Sequence, residues 1–206
     1  MQGPQPRLSP ARLIAACEAH HGDLPHRRAV VEDHATGLRL SRTLRLRGWQ
    51  CTELELMVLR HAPDRPPRPG VALVVDAERF AAVEAATDAE LLPVGGDVIA
   101  ELRVARERLR AVHPRTRRIV ATDEGADVAH ATLFADGRTA QVEDVVTLGA
   151  HRGRGLARAA VGLACVEAAD HELTFLNAER ADWPRALYAK LGFVRAGGSW
   201  VMTSGG

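Results

Sequence analysis

The chain has 206 residues, 46% hydrophobic and 26% charged, with a formal net charge of +1. That is the make-up of a globular chain of one large or two small domains. A charge so near zero excludes bulk attraction to nucleic acid or to a membrane surface. Cys17, Cys51 and Cys165 are odd in number and far apart, which excludes a disulfide framework. Among the nine histidines, His20, His21, His26 and His34 sit in loop-like settings without a paired ligand spacing, so no metal is expected. The first residues form no apolar leader and no run reaches spanning length, which makes a reduced cytoplasm the expected compartment.

Residues 1–10, with three prolines, read as a frayed tail. Ala11 to Ala19 is expected to be a helix with Leu13, Ile14 and Cys17 on one face. His26 to Val31 is a short strand, and Ala35 to Arg47 an amphipathic helix closed by Gly48. Gln50 to Arg60 alternates Cys51, Glu53, Glu55 and Met57 against Thr52, Leu54, Leu56 and Val58, a half-buried strand. Prolines then crowd residues 61–70, so 63–70 reads as a linker between a first unit, 1–62, and a second, 71–206.

The second unit opens with a strand at Val71 to Val75 and a helix at Ala77 to Ala86. A further helix spans Val98 to Val112 and stops at His113-Pro114. Strands follow at Arg117 to Thr122, Ala126 to Phe134 and Thr139 to Leu148, joined by turns at Asp123-Glu124-Gly125 and Asp136-Gly137. The remaining elements are a helix at 154–168, a strand at Leu173 to Leu176, a helix at Asp182 to Leu191, and a hairpin pairing Phe193-Val194 with Ser199 to Thr203.

One stretch carries chemistry. Residues 139–148 are rich in β-branched side chains and form a strand; the chain then turns through Gly149 and Gly153 and enters a helix at about Arg154. Leu156, Ala160, Leu163 and Val166 set that helix's buried face. Strand, glycine turn and helix start suit a phosphate, because the first helical N–H groups lack intrahelical partners and the helix dipole adds positive charge there. Arg152 and Arg154 bring full charges to the same place. The Gly-Lys-Ser/Thr of a P-loop is missing, and so is the third glycine of a dinucleotide fingerprint. The plain alternative is a basic turn with no ligand.

Arg152-Gly153-Arg154-Gly155-Leu156-Ala157 resembles the acyl-CoA pyrophosphate loop of the GNAT superfamily of N-acyltransferases, Arg/Gln-x-x-Gly-x-Gly/Ala. Thr147 and Gly149 depart from the Val-x-Pro often found before it. Leu187-Tyr188-Ala189-Lys190-Leu191-Gly192-Phe193 is similar to the family's Leu-Tyr-x-Lys-x-Gly-Phe segment. The two motifs stand in the family's order and at about its usual spacing. The resemblance implies an α/β fold of α+β type, with a mixed, mostly antiparallel central sheet flanked by helices. The β-α-β at 26–60 is then either a degenerate half-copy of that fold or a packing extension. Its Asp33-His34-Ala35-Thr36-Gly37 has the wrong charge to hold CoA.

The resemblance further implies an N-acetyltransferase that uses acetyl-CoA as co-substrate, without metal, by direct attack of a primary amine in a ternary complex. Backbone groups of Val145, Val146 and Thr147 and the loop Arg152, Gly153, Arg154, Gly155, Leu156 and Ala157 would hold the cofactor. Asn177 would bond its pantetheine arm or the acceptor. Tyr188 matches the family's acid facing the sulfur, with a core aromatic as the plain alternative. Glu143 is favoured over Asp144 as the base, and no side-chain base at all is the third choice. Asp182 reads as an N-cap. The alternative function is a non-catalytic acyl-CoA-binding module, and beyond it an inert interaction fold. The acceptor, a small molecule or a peptide amine, would be chosen by 87–97, the N-terminal unit and 195–200. Nucleic acid and membrane are not expected partners, and a homodimer is left open.

Overall fold

The structure, a computed structural model, describes residues 8–205 except 23, 67, 69, 93 and 114. Residues 1–7 of the expected tail 1–10, Pro67 and Pro69 of the expected linker, and the helix stop at Pro114 lie outside the described residues; Ser9 and Pro10 of that tail already cap and begin a helix. The chain groups into two compact units. The first gathers 1–57, 178–185 and 195–206; the second holds 58–177 and 186–194.

The first unit contains α1 (Pro10–His21), β1 (Arg27–Val31), α2 (His34–Arg45), most of β2 (Gln50–Leu59) and most of β8 (Phe193–Ser204). Ser9 caps α1 by accepting from the Arg12 N–H at 3.3 Å, and Asp33 caps α2 by accepting from the Thr36 N–H at 2.8 Å. β1 runs antiparallel to β8, from Arg27 opposite Ser204 to Val31 opposite Trp200. Leu13, Cys17, Leu40, Leu44, Trp49, Trp200 and Met202 make the core of this unit. Gly37 is the contact point of α2 with that core: a Cβ there would collide with the Trp200 side chain.

The second unit contains β3 (Ala72–Val75), α3 (Ala77–Leu91), α4 (Gly96–Ala111), β4 (Arg117–Asp123), β5 (Ala126–Ala135), β6 (Thr139–Thr147), α5 (Leu156–Glu167), most of β7 (Leu173–Glu179) and most of α6 (Pro184–Lys190). β3, β4, β5 and β6 are antiparallel in that order, and β7 joins β6 in parallel. α5 packs on β4 and β5 through Leu156, Ala160, Ala164 and Ala168, all buried. The eight described strands, mixed and mostly antiparallel, with helices at their faces, are the expected α/β class.

Two details depart from expectation. The final hairpin is a single strand, β8, because Gly197 and Gly198 are extended: Gly198 lies against the Leu54 carbonyl, where a Cβ would come within 3.0 Å of oxygen. These glycines serve close backbone approach, not a turn. Val166 is 58% exposed, since the buried ridge of α5 follows i, i+4 steps from Leu156 and leaves it to one side. The proline-rich stretch is fastened within the second unit over part of its length. There the Arg60 and His61 N–H groups donate to the Gly192 carbonyl at 3.0 and 3.2 Å, and Asp64 pairs with Arg158 of α5. The compact units divide at Met57/Val58, ahead of the prolines, and the first unit takes residues from the C-terminal part of the chain.

Candidate functional site

β6 and β7 pair only from Thr139 opposite Leu173 to Val142 opposite Leu176. Beyond Val142, β6 leaves its parallel neighbour, and the first side chain past the parting is Glu143. On its other edge β6 opposes β5 with one extra residue: His130 faces Val146 while Thr132 faces Glu143. That bulge is built on Asp144, whose φ of 53° is left-handed. Aspartate is among the few residues with a side chain that tolerate this conformation.

The two adjacent carboxylates take different surroundings. Glu143 bonds the Gln141 amide, and burial pushes its carboxyl above the ordinary value, helped by the Asp144 charge and opposed by Gln141 and Asn177. Asp144 accepts from Thr132 Oγ1 at 3.3 Å and from Arg110 Nη2 at 3.4 Å. Strict alternation along 143–147 does not survive the bulge, so Glu143, Val145 and Thr147 do not share one sheet face. Arg110 is wholly buried. Its guanidinium forks onto Glu84 at 2.6 and 3.1 Å, donates to Glu107 at 2.8 Å and lies 4.8 Å from the Phe80 ring centre. Burial would lower its pKa, but Glu84 and Glu107 outweigh burial and hold it charged. His130, bonded to Thr87 at 2.9 Å, is driven toward the neutral form by burial. This network was missed in the sequence, where Arg110 reads as one more arginine of a charged helix.

After β6 the chain makes a 3-10 turn, Gly149–His151, and enters α5 through Gly153 and Gly155, with φ of 77° and 85°. No side chain caps α5, and a Cβ at either glycine would meet nothing within 4 Å. The helix end is therefore open to a ligand on its backbone side. Arg152 and Arg154 are half-exposed and already engaged. Arg152 Nε donates to the Thr147 carbonyl at 3.1 Å, and Arg154 pairs with Asp123 at 2.6 Å beside His151 at 2.7 Å. Those two contacts, His151 first, hold Asp123 below its ordinary value. Glu90 accepts the Gly149 N–H at 2.8 Å and stands 3.7 Å from Arg152. Leu156 points into the core, so it can offer a ligand only its backbone.

Residues 97–195 match the acetyltransferase (GNAT) domain family. That stretch is a GNAT acetyltransferase domain. No curated protein matches this chain. Among solved structures it is similar to a functionally unknown conserved protein from Staphylococcus epidermidis, with TM-score 0.71 and 16% identity over 96% of this chain and 81% of that one. A GCN5-related N-acetyltransferase from Kribbella flavida matches with TM-score 0.56 and 20% identity over 96% and 77%. A tandem GNAT protein from the clavulanic acid biosynthesis pathway matches with TM-score 0.57 and 17% identity over 95% and 69%. At these identities the likeness is one of fold.

A GNAT domain takes an acyl-CoA co-substrate in general, and the residues here fit one: an uncapped helix end, two left-handed glycines facing open space, and a strand edge freed beyond Val142. Asn177 is exposed at the far side of that parting and close enough to act on the Glu143 carboxyl. Tyr188 on α6 is buried, its ring edge-on to Phe193 with centroids 6.3 Å apart. Gly192 closes α6 with φ of 95°, and its missing Cβ admits the His61 carbonyl, which accounts for the glycine of that motif. Asp182 accepts from the Trp183 N–H at 2.7 Å, just ahead of Pro184. Cys165 is pushed up to about 12 by burial, which leaves it a protonated thiol and a poor nucleophile. Among the described residues no three His, Cys, Asp or Glu side chains gather as a metal site, and no helix is long and apolar enough to cross a membrane.

Proposed function

We propose that this chain is an N-acetyltransferase that moves an acetyl group from acetyl-CoA to a primary amine by direct attack in a ternary complex. The observation that carries the reading is the parting of β6 from β7 immediately before Glu143, a carboxylate whose pKa burial raises. A base must lose its proton near neutral pH to take one from an ammonium group, and a raised carboxyl comes closer to that than an ordinary one. Glu143 accepts the proton of the attacking amine. A backbone N–H of β6 released where it parts from β7 would meet the growing charge on the carbonyl oxygen. Tyr188 gives a proton to the departing sulfur. The α5 end, with Gly153, Arg154, Gly155 and Ala157, takes the diphosphate, Arg152 adds charge, and Asn177, Val146 and Thr147 line the pantetheine path.

Residues 1–62 enter this reading as an extension without a cofactor site of its own. Asp33 is spent as a helix cap and Gly37 on admitting Trp200, so neither serves a phosphate. Retention of both Tyr188 and the loop favours turnover over a purely acyl-CoA-binding module.

The test is a thermal melt with acetyl-CoA on the parent and on Arg152→Glu. At a ligand concentration 100-fold over Kd, about 2.7 kcal/mol of stabilisation is expected. That is a rise of roughly 5–10 °C for a chain of this size. The rise should vanish in Arg152→Glu. No rise in the parent at saturating acetyl-CoA would overturn the cofactor assignment and the enzyme with it.

A further inference from the structure

A second cluster of charges lies wholly within the first unit and takes no part in the chemistry above. β2 presents Glu53 and Glu55 on the same face as Cys51 and Met57, and Glu55 is buried with a side chain only 5% exposed. Three arginines from three places reach its Oε1: Arg180 Nε at 3.8 Å, Arg185 Nη1 at 3.5 Å and Arg195 Nε at 3.6 Å. Glu53 binds Arg180 Nη1 at 2.6 Å and His34 Nε2 at 2.7 Å. Burial would raise Glu53, and these two partners outweigh it and hold it lowered. The Arg180 backbone is fixed as well, its N–H donating to the Glu53 carbonyl at 2.9 Å.

The arrangement differs from a one-to-one ion pair. Arg79 shows such a pair, a fork onto Asp127 at 2.7 and 2.8 Å, one guanidinium to one carboxylate. Around Glu55 three guanidiniums share one oxygen, none forks onto it, and each remains 48% exposed. Among the ion pairs of this cluster three arginines meet two glutamates; Glu179 and Asp182, exposed in the same turn of chain, form no ion pair with them. Glu55 acts as a floor that gathers the guanidiniums by charge while most of their N–H donors stay free toward solvent. Trp183, 66% exposed, stands between Arg180 and Arg185 in the same turn of chain. A large exposed indole among arginines suits a ligand with an apolar or planar body attached to an anion.

We propose that Arg180, Arg185 and Arg195, gathered on Glu55, bind the carboxylate or phosphate group of a small molecule whose apolar part rests on Trp183. The site is independent of the acetyltransfer reading and is tested by binding alone. Trp49 and Trp200 are buried, so the exposed Trp183 is the fluorophore that a surface ligand will change. Phenyl phosphate and phenylacetate are titrated as probes, with benzyl alcohol as the uncharged control. Saturable quenching by one anion and none by the alcohol is expected, and the better anion says whether phosphate or carboxylate is preferred.

In Arg185→Gln/Arg195→Gln the affinity should fall at least about tenfold, equal to 1.4 kcal/mol. Arg195→Lys keeps its charge toward Glu55 and serves as the folding control. It should melt with the parent and bind more weakly, since an ammonium cannot fork onto an oxyanion. Failure of both anions to saturate, or equal binding by parent and double variant, would overturn the proposal.

Discussion

Removing Arg110 separates what the buried network does for the fold from what it does for the site. Methionine at this position would fill most of the volume over Phe80 and leave Glu84 behind with its side chain 3% exposed. The two Glu84 hydrogen bonds at 2.6 and 3.1 Å would be lost, and Arg106 at 3.5 Å is the only cation still near that carboxylate among the described residues. Stripping one partner from a buried pair costs about 3–5 kcal/mol, because the other charge stays buried and unpaired. At about 2–4 °C per kcal/mol the melting point should drop by roughly 6–20 °C. Removing both charges is different. Glu84→Leu/Arg110→Met leaves no stranded ion and should recover to within about 2 kcal/mol of the parent. Asp144 loses its Arg110 contact in both proteins, so acyl transfer should stay depressed in the double variant even as its melt recovers. A double variant no more stable than Arg110→Met, or one with parental turnover, would refute this account of the network.

Glu143→Gln should cut turnover by about 10²–10⁴, the usual worth of a positioned base. Its stability should move the other way: burial raises the folded-state pKa of Glu143 above the ordinary 4.5, so the folded chain holds that proton more tightly than the unfolded one. That contribution is present below the unfolded pKa and lost as pH rises through the folded one; the variant should therefore melt higher than the parent at about pH 8 and alike at about pH 4. Gly37→Ala forces a methyl into Trp200, and overpacking of about 1–3 kcal/mol should exceed the gain in helix propensity, lowering the melt by a few degrees. An unchanged melt would show that Trp200 can give way. Glu90→Gln removes an acid 3.7 Å from Arg152 and should tighten acetyl-CoA binding by about two- to fivefold at low salt, as calorimetry would show.

What could be read from the sequence was local. The loop from Gly149 to Ala157 was legible because left-handed glycines, a β-branched strand and a helix start are all consequences of nearby residues, and the GNAT motifs lie within such runs. The alternation of Cys51, Glu53, Glu55 and Met57 against their neighbours was legible too, as a half-buried strand, but not the cations that meet its acids. Those partners come from residues 180–195, and no spacing within β2 names them. The same holds for α4. Arg103, Arg106, Arg108 and Arg110 are equal in sequence, and only the packing of α3 and β6 decides that Arg110 alone is sealed from solvent.

Asp144 is the hardest case. In sequence it is one polar residue in a strand, and strict alternation would send it and Glu143 to opposite sheet faces. Pairing with β5 sets two residues of β6, Asp144 and Val145, against one of β5, and Asp144 takes the left-handed conformation. An aspartate can do so and then take Thr132 and Arg110 as partners, which leaves Glu143 as the carboxylate beside the parting of the strands. The choice between two adjacent acids is thus made by the register of a neighbouring strand, and a change that removed the bulge without touching either carboxylate should abolish the distinction between them.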